Sequence, residues 1–80
     1  MKITKQEKVI LSSLKSEWKY IARDKDGDLY LFQNKPKKDG LMLMWKALGN
    51  CDFSAFNHLF KFISWNDENP HSINILINYY

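Results

Sequence analysis

The chain has 80 residues, 45% hydrophobic, 15% aromatic and 26% charged, with 12 Lys/Arg, 9 Asp/Glu and a formal net charge of +3. That length holds one small domain (1–80) and excludes two independent cores, while the apolar fraction excludes intrinsic disorder. The longest apolar run, Leu41 to Trp45, is far short of the ~20 residues a membrane-spanning helix needs.

The first predicted element is a helix over about Lys5 to Glu17. Thr4 followed three residues on by Glu7 matches a capping box, which satisfies amide donors left unpaired at a helix start. Ile10, Leu11, Leu14 and Trp18 recur at spacings of three and four and share one helical face.

Trp18 to Gln33 (WKYIARDKDGDLYLFQ) carries the strongest local signal: two runs of aromatic and aliphatic residues flanking Asp24-Lys25-Asp26-Gly27-Asp28. The expected turn is type I with Gly27 in the bulge position, pairing Asp24 with Asp28. In that register Tyr20, Ala22, Tyr30 and Phe32 share one face, and Ile21, Leu29 and Leu31 the other. A polar connection follows, Asn34 to Gly40, ending in the turn signal Asp39-Gly40. Leu41 to Lys46 is then expected as a third strand.

Beyond Asp52 the period changes. Phe56, Leu59, Phe60 and Ile63 fit one face of a second helix, with Asp52 or Ser54 as its N-cap. Trp65 to Pro70 reads as a turn. Ser72 to Tyr80 fits both a strand (Ile73, Ile75, Ile77, Tyr79) and a helix (Ile73, Leu76, Ile77, Tyr80). A short helix starting near Asn69-Pro70 is expected, since proline is tolerated in a first turn. These elements predict an α+β fold: a three-stranded antiparallel meander with an N-terminal helix and one or two C-terminal helices packed on it.

No constellation for catalysis stands out. Asp24, Asp26 and Asp28 alternate like calcium ligands, but Leu29 and Lys35 occupy the places of the required glycine and glutamate. Cys51 is the only cysteine, which excludes an internal disulfide and a multi-cysteine zinc site. A thiol- or metal-dependent site at Cys51 with His58 or His71 lacks an orienting partner and a third or fourth ligand of regular spacing. Asp67 and Glu68 sit in a turn, and Gly27, Gly40 and Gly49 are each isolated, so no phosphate loop exists. No enzymatic activity and no cofactor are expected. No basic stretch with a long apolar run opens the chain, and the cytoplasm is the expected compartment.

Two groups of residues carry the binding expectations. Residues 1–50 hold 11 Lys/Arg and 6 Asp/Glu, residues 51–80 one and 3. On a helical wheel Lys5, Lys8, Lys15 and Lys19 fall in one sector, and Lys35, Lys37 and Lys38 add a loop cluster, a pattern suited to nucleic-acid phosphates. Tyr20, Tyr30 and Phe32 on one sheet face, with Trp65, are candidates for core beneath a helix, for base stacking, or for a protein contact rich in aromatic residues. The leading expectation is an unidentified protein partner, with nucleic acid as the alternative and a homodimer as a further option.

The run WKYIARDKDGDLYLFQNKP, the lone Met44-Trp45-Lys46 and the tail HLFKFISWNDENPHSI resemble small uncharacterised proteins of phages and prophages of low-GC Gram-positive bacteria. In those a KYIARD-turn-LYLF hairpin precedes an LFxFIxWxDxxPxxI tail. The resemblance covers Trp18 to about Leu76 and implies an origin in a mobile element. It implies no activity and no site residues.

Overall fold

The computed structural model describes residues 3–80. In chain order the elements are α1 (Lys5–Ser12), β1 (Tyr20–Arg23), β2 (Leu29–Phe32), β3 (Lys37–Asp39), β4 (Met44–Lys46), β5 (Asn50–Asp52), a single 3-10 turn (Ser54–Phe56), β6 (His71–Ser72) and α2 (Ile73–Tyr79). The fold is α+β. One antiparallel sheet has the order β5-β2-β1-β6, and β3 and β4 pair separately as a two-stranded ribbon.

The central hairpin forms in the expected register, with Tyr20 opposite Phe32 and Arg23 opposite Leu29. The Asp24 amide donates to the Asp28 carbonyl at 2.9 Å and the Gly27 amide to the Asp24 carbonyl at 3.0 Å. Gly27 sits at φ +97°, a region open mainly to glycine. The alternation of side chains then creates two unlike faces. Ile21, Leu29 and Leu31 pack with Leu11 of α1, Ile73 and Leu76 of α2, and Phe53, Phe60 and Ile63. Ala22 and Phe32 pack instead against Trp45 of β4, bordered by Tyr20, Tyr30 and Trp65.

Four expectations are corrected. The first helix ends at Ser12, not near Glu17. The Ser13 amide is shared between the Val9 (3.1 Å) and Ile10 (3.2 Å) carbonyls and the Leu14 amide bonds Leu11 (3.2 Å), so the last turn tightens to three-residue spacing and closes. The Ser13 hydroxyl also donates to Val9, and Leu14 and Trp18 reach the core from the connection that follows. The expected capping box is present, with the Glu7 amide donating to the Thr4 hydroxyl and the Thr4 amide to Glu7 Oε1. Glu7 is also buried, and its other oxygen accepts the Phe60 amide, which ties α1 to the far end of the chain.

The meander does not have Leu41 to Lys46 as its third strand. Asn50–Asp52 pairs with β2 instead, and β4 folds back on β3 across the aromatic face, where Trp45 covers Phe32. Gly49 at φ +71° makes the turn into β5, and a Cβ there would stand 2.5 Å from Gln33 Oε1. The helix expected around Phe56 to Ile63 reduces to a 3-10 turn followed by irregular chain. Asp52 does accept the Ser54 amide, as a cap would. The carbonyls that a helix would use internally go to Arg23. Its guanidinium donates to Asn57 (3.2 Å), Leu59 (2.9 Å), Phe60 (3.1 Å) and Ile63 (2.8 Å), and also to Gly27 (2.7 Å). The last helix forms but starts at Ile73, with the Ser72 hydroxyl accepting the Ile75 amide, rather than near Asn69-Pro70.

Candidate functional site

Most of the residues singled out for binding converge on the β3–β4 ribbon, and they are there for different reasons. Phe32 is buried under Trp45, and Tyr20, Tyr30 and Trp65 edge the same cluster. The aromatic face is therefore roofed, not by a helix, but by the ribbon. The Trp45 indole stands edge-on to Trp65 at 6.3 Å and donates through Nε1 to the Arg23 carbonyl at 3.1 Å. Lys38 lies 5.2 Å from the Trp45 ring and 4.6 Å from that of Trp65, and its ammonium donates to the Trp65 carbonyl. It acts as a cation–π clasp holding β3 over the sheet.

Asp24 hooks β4 from below. It is buried, and its Oδ1 accepts the Trp45 amide at 2.9 Å. Burial pushes its carboxyl above the ordinary value, partly offset by that amide. The other end of the ribbon is held by Asp39. Its Oδ1 accepts the amides of Leu41 (2.9 Å) and Met42 (3.0 Å), and its Oδ2 pairs with Lys46 at 3.1 Å. The Met42 amide, followed by Lys46, holds the Asp39 carboxyl below its ordinary value.

Between these anchors the ribbon turns through Gly40-Leu41-Met42-Leu43, and the turn presents its apolar side chains to water. Leu41 is 96% exposed, Met42 61% and Leu43 47%. Leu43 adopts φ +57°, a left-handed conformation that costs a leucine roughly 1–2 kcal/mol. Its carbonyl accepts the Lys25 amide at 3.2 Å, which pins the tip to the β1–β2 turn. A shallow crevice of about 380 Å³ runs beside it, lined by Tyr30, Met42, Leu43 and Met44 and by the charged run Asp24-Lys25-Asp26. Phe60 has a similar left-handed backbone, at φ +55°. There the strain is compensated by a fully buried ring and the bond to Glu7. At Leu43 no burial compensates it. Sequence reading missed this tip because an unbroken apolar run looks like a buried strand. The signal was there in Asp39-Gly40 just before it.

The lysines do not form the single stripe expected. With α1 ending at Ser12, Lys5 and Lys8 lie on the helix, whereas Lys15 and Lys19 lie on the connection to β1. Lys35 precedes β3, Lys37 faces Lys46 across the ribbon, and Lys38 is engaged by the two indoles. Cys51 is exposed on β5, and His58 is exposed in the turn after the 3-10 segment. His71 pairs with Asp67 at 2.9 Å and stands edge-on to Phe62. Among the described residues no three His, Cys, Asp or Glu side chains are grouped to hold a metal ion. No helix among them is long and apolar enough to cross a membrane. Searches against protein families, curated proteins and solved structures gave no match to the chain.

Proposed function

We propose that this chain is a non-enzymatic accessory protein that acts by binding another protein through the tip of the β3–β4 ribbon. The observation that carries this reading is the strained Leu43 backbone holding three exposed apolar side chains in a turn fixed by Asp39 and Lys25. Strain persists where surrounding structure over-determines it, and it gathers at binding sites. A turn already held in one conformation loses little entropy on docking, so each buried side chain contributes more to affinity. Contact through leucine and methionine suits an apolar pocket on a folded partner, and Met42 adapts to its shape. The phage-type resemblance of residues 18–76 fits an accessory protein aimed at a host or phage factor.

The tagged chain and its Leu41→Ser/Met42→Ser variant are compared by affinity capture from host lysate, with a photo-crosslinker placed at position 42 in a third sample. Both substituted side chains are exposed, so the variant keeps the fold. The expected result is one specific polypeptide held by the parent chain, crosslinked at position 42 and lost from the variant. Identical captures by parent and variant would overturn the reading.

A further inference from the structure

On the opposite side of the sheet from the ribbon, the end of α1, the connection to β1 and the start of α2 enclose an open trough of about 480 Å³. Its lining is mixed: Leu14, Trp18 and Ile77 remain half-buried along it and Ile73 lies at its base, while Ser12, Ser16 and Asn74 add polar groups between them. Lys15 and Lys19 stand on the rim, both exposed, and no acidic side chain lines the trough. Glu17, between them in sequence, accepts a hydrogen bond from Gln33 at 2.7 Å instead. Neither lysine joins an ion pair among the described residues, where only Lys46 and His71 do so.

We infer that this trough is a docking site for a short acidic segment of a partner protein, one that alternates apolar side chains with Asp or Glu. Leu14, Trp18 and Ile77 take the apolar side chains and the two ammonium groups meet the carboxylates, a pairing that fixes register and speeds encounter. The openness of the trough favours a peptide over an acyl chain, because a peptide buries alternate side chains and leaves its other edge in water. The inference is independent of the ribbon tip, which lies across the sheet.

The test follows the amides of the isotope-labelled chain by NMR during titration with the blocked peptide Glu-Leu-Asp-Leu-Glu-Leu. The expected result is saturable shifts confined to residues 11–19 and 73–77 and the Trp18 indole, weakening as salt is raised. Lys15→Glu/Lys19→Glu, two exposed changes that leave the fold intact, is expected to weaken binding at least roughly tenfold. Three results would overturn the inference: no saturable shift, equal binding by a peptide with Lys in place of the acids, or shifts centred on the ribbon. Tighter binding of dodecanoate than of the peptide would overturn it in favour of a lipid. Concentration-dependent self-association through residues 11–19 would do so in favour of a second copy.

Discussion

The two faces of the central sheet are closed in different ways. On one, aliphatic side chains of β1 and β2 meet α1, α2 and the 53–63 segment in a core with Ile21, Leu29 and Phe60 at 0% exposure. On the other, a smaller cluster of Ala22, Phe32 and Trp45 is roofed by a ribbon held by Asp24, the Lys38 clasp and the Trp45 indole bond. The first face is sealed by many interchangeable contacts, the second by a few specific ones. A chain this short buries only roughly 60% of its unfolded surface, so few side chains are left over for a second full core. The difference teaches where stability and recognition reside: a roof pinned at a few points can carry an exposed apolar turn at its end.

The substitution expected to separate the faces most is Trp45→Ala. It removes the side chain that fills the ribbon face and costs roughly 3–5 kcal/mol, the range for truncating a buried tryptophan. Native-state hydrogen exchange should show β3 and β4 losing protection well before Ile21, Leu31 and Leu76. Equal loss on both faces would mean that the sheet and its two coverings form one cooperative unit, and the comparison would fail.

Arg23→Met acts on the other face. It leaves the carbonyls of Asn57, Leu59, Phe60 and Ile63 without their donor, for a loss of about 2–3 kcal/mol in urea unfolding. Arg23→Lys should recover less than half of it, because one ammonium cannot span the forked geometry that a guanidinium serves. Recovery by lysine would show that only charge matters there.

How much of this was legible in the sequence depends on the range of the interaction involved. The capping box at Thr4 and Glu7 and the register about Gly27 are local, set by spacings of a few residues, and both were readable. The division into two faces followed from that register. The 53–63 segment was not readable as irregular, because its acceptors are taken by Arg23, 34 to 40 positions away. Helical spacing of Phe56, Leu59, Phe60 and Ile63 reports burial correctly, with Phe60 and Ile63 both in the core, but not the backbone that achieves it. The ribbon tip was misread as a strand for a related reason. Period and composition cannot say whether an apolar run faces a core or water. The lysine stripe failed with the helix that was to carry it.

Leu43→Gly probes the tip itself. Glycine accepts φ +57° without strain, so the folded state should gain, and greater freedom of the unfolded chain offsets part of that. A net rise of up to about 1 kcal/mol is expected, measured by thermal or urea unfolding. The same change should loosen the tip and weaken partner capture. A loss of stability would show that Leu43 packs against the molecule rather than being presented by it.

The smallest effect compares the two aspartates that hold the ribbon. Asp24 is pushed above the ordinary carboxylate value by burial, and Asp39 is held below it by the Met42 amide and Lys46. Their contributions to stability therefore run in opposite senses with pH. For Asp39 the folded value is depressed, so its contribution is present above the ordinary value near about 3.9 and is lost as pH falls through the lower folded value. For Asp24 the folded value is raised, so its contribution is present below the ordinary value and is lost as pH rises through the folded one. Carboxyl-carbon NMR titration should place Asp24 above and Asp39 below an unstructured aspartate. The amides of Leu41 and Met42 should move with the Asp39 midpoint and that of Trp45 with the Asp24 midpoint. Asp24→Asn retains an acceptor for the Trp45 amide and should abolish the upper titration while leaving the ribbon in place. If the two midpoints coincide, the base and the tip of the ribbon share one environment, and the contrast between a buried anchor and a half-buried one does not hold.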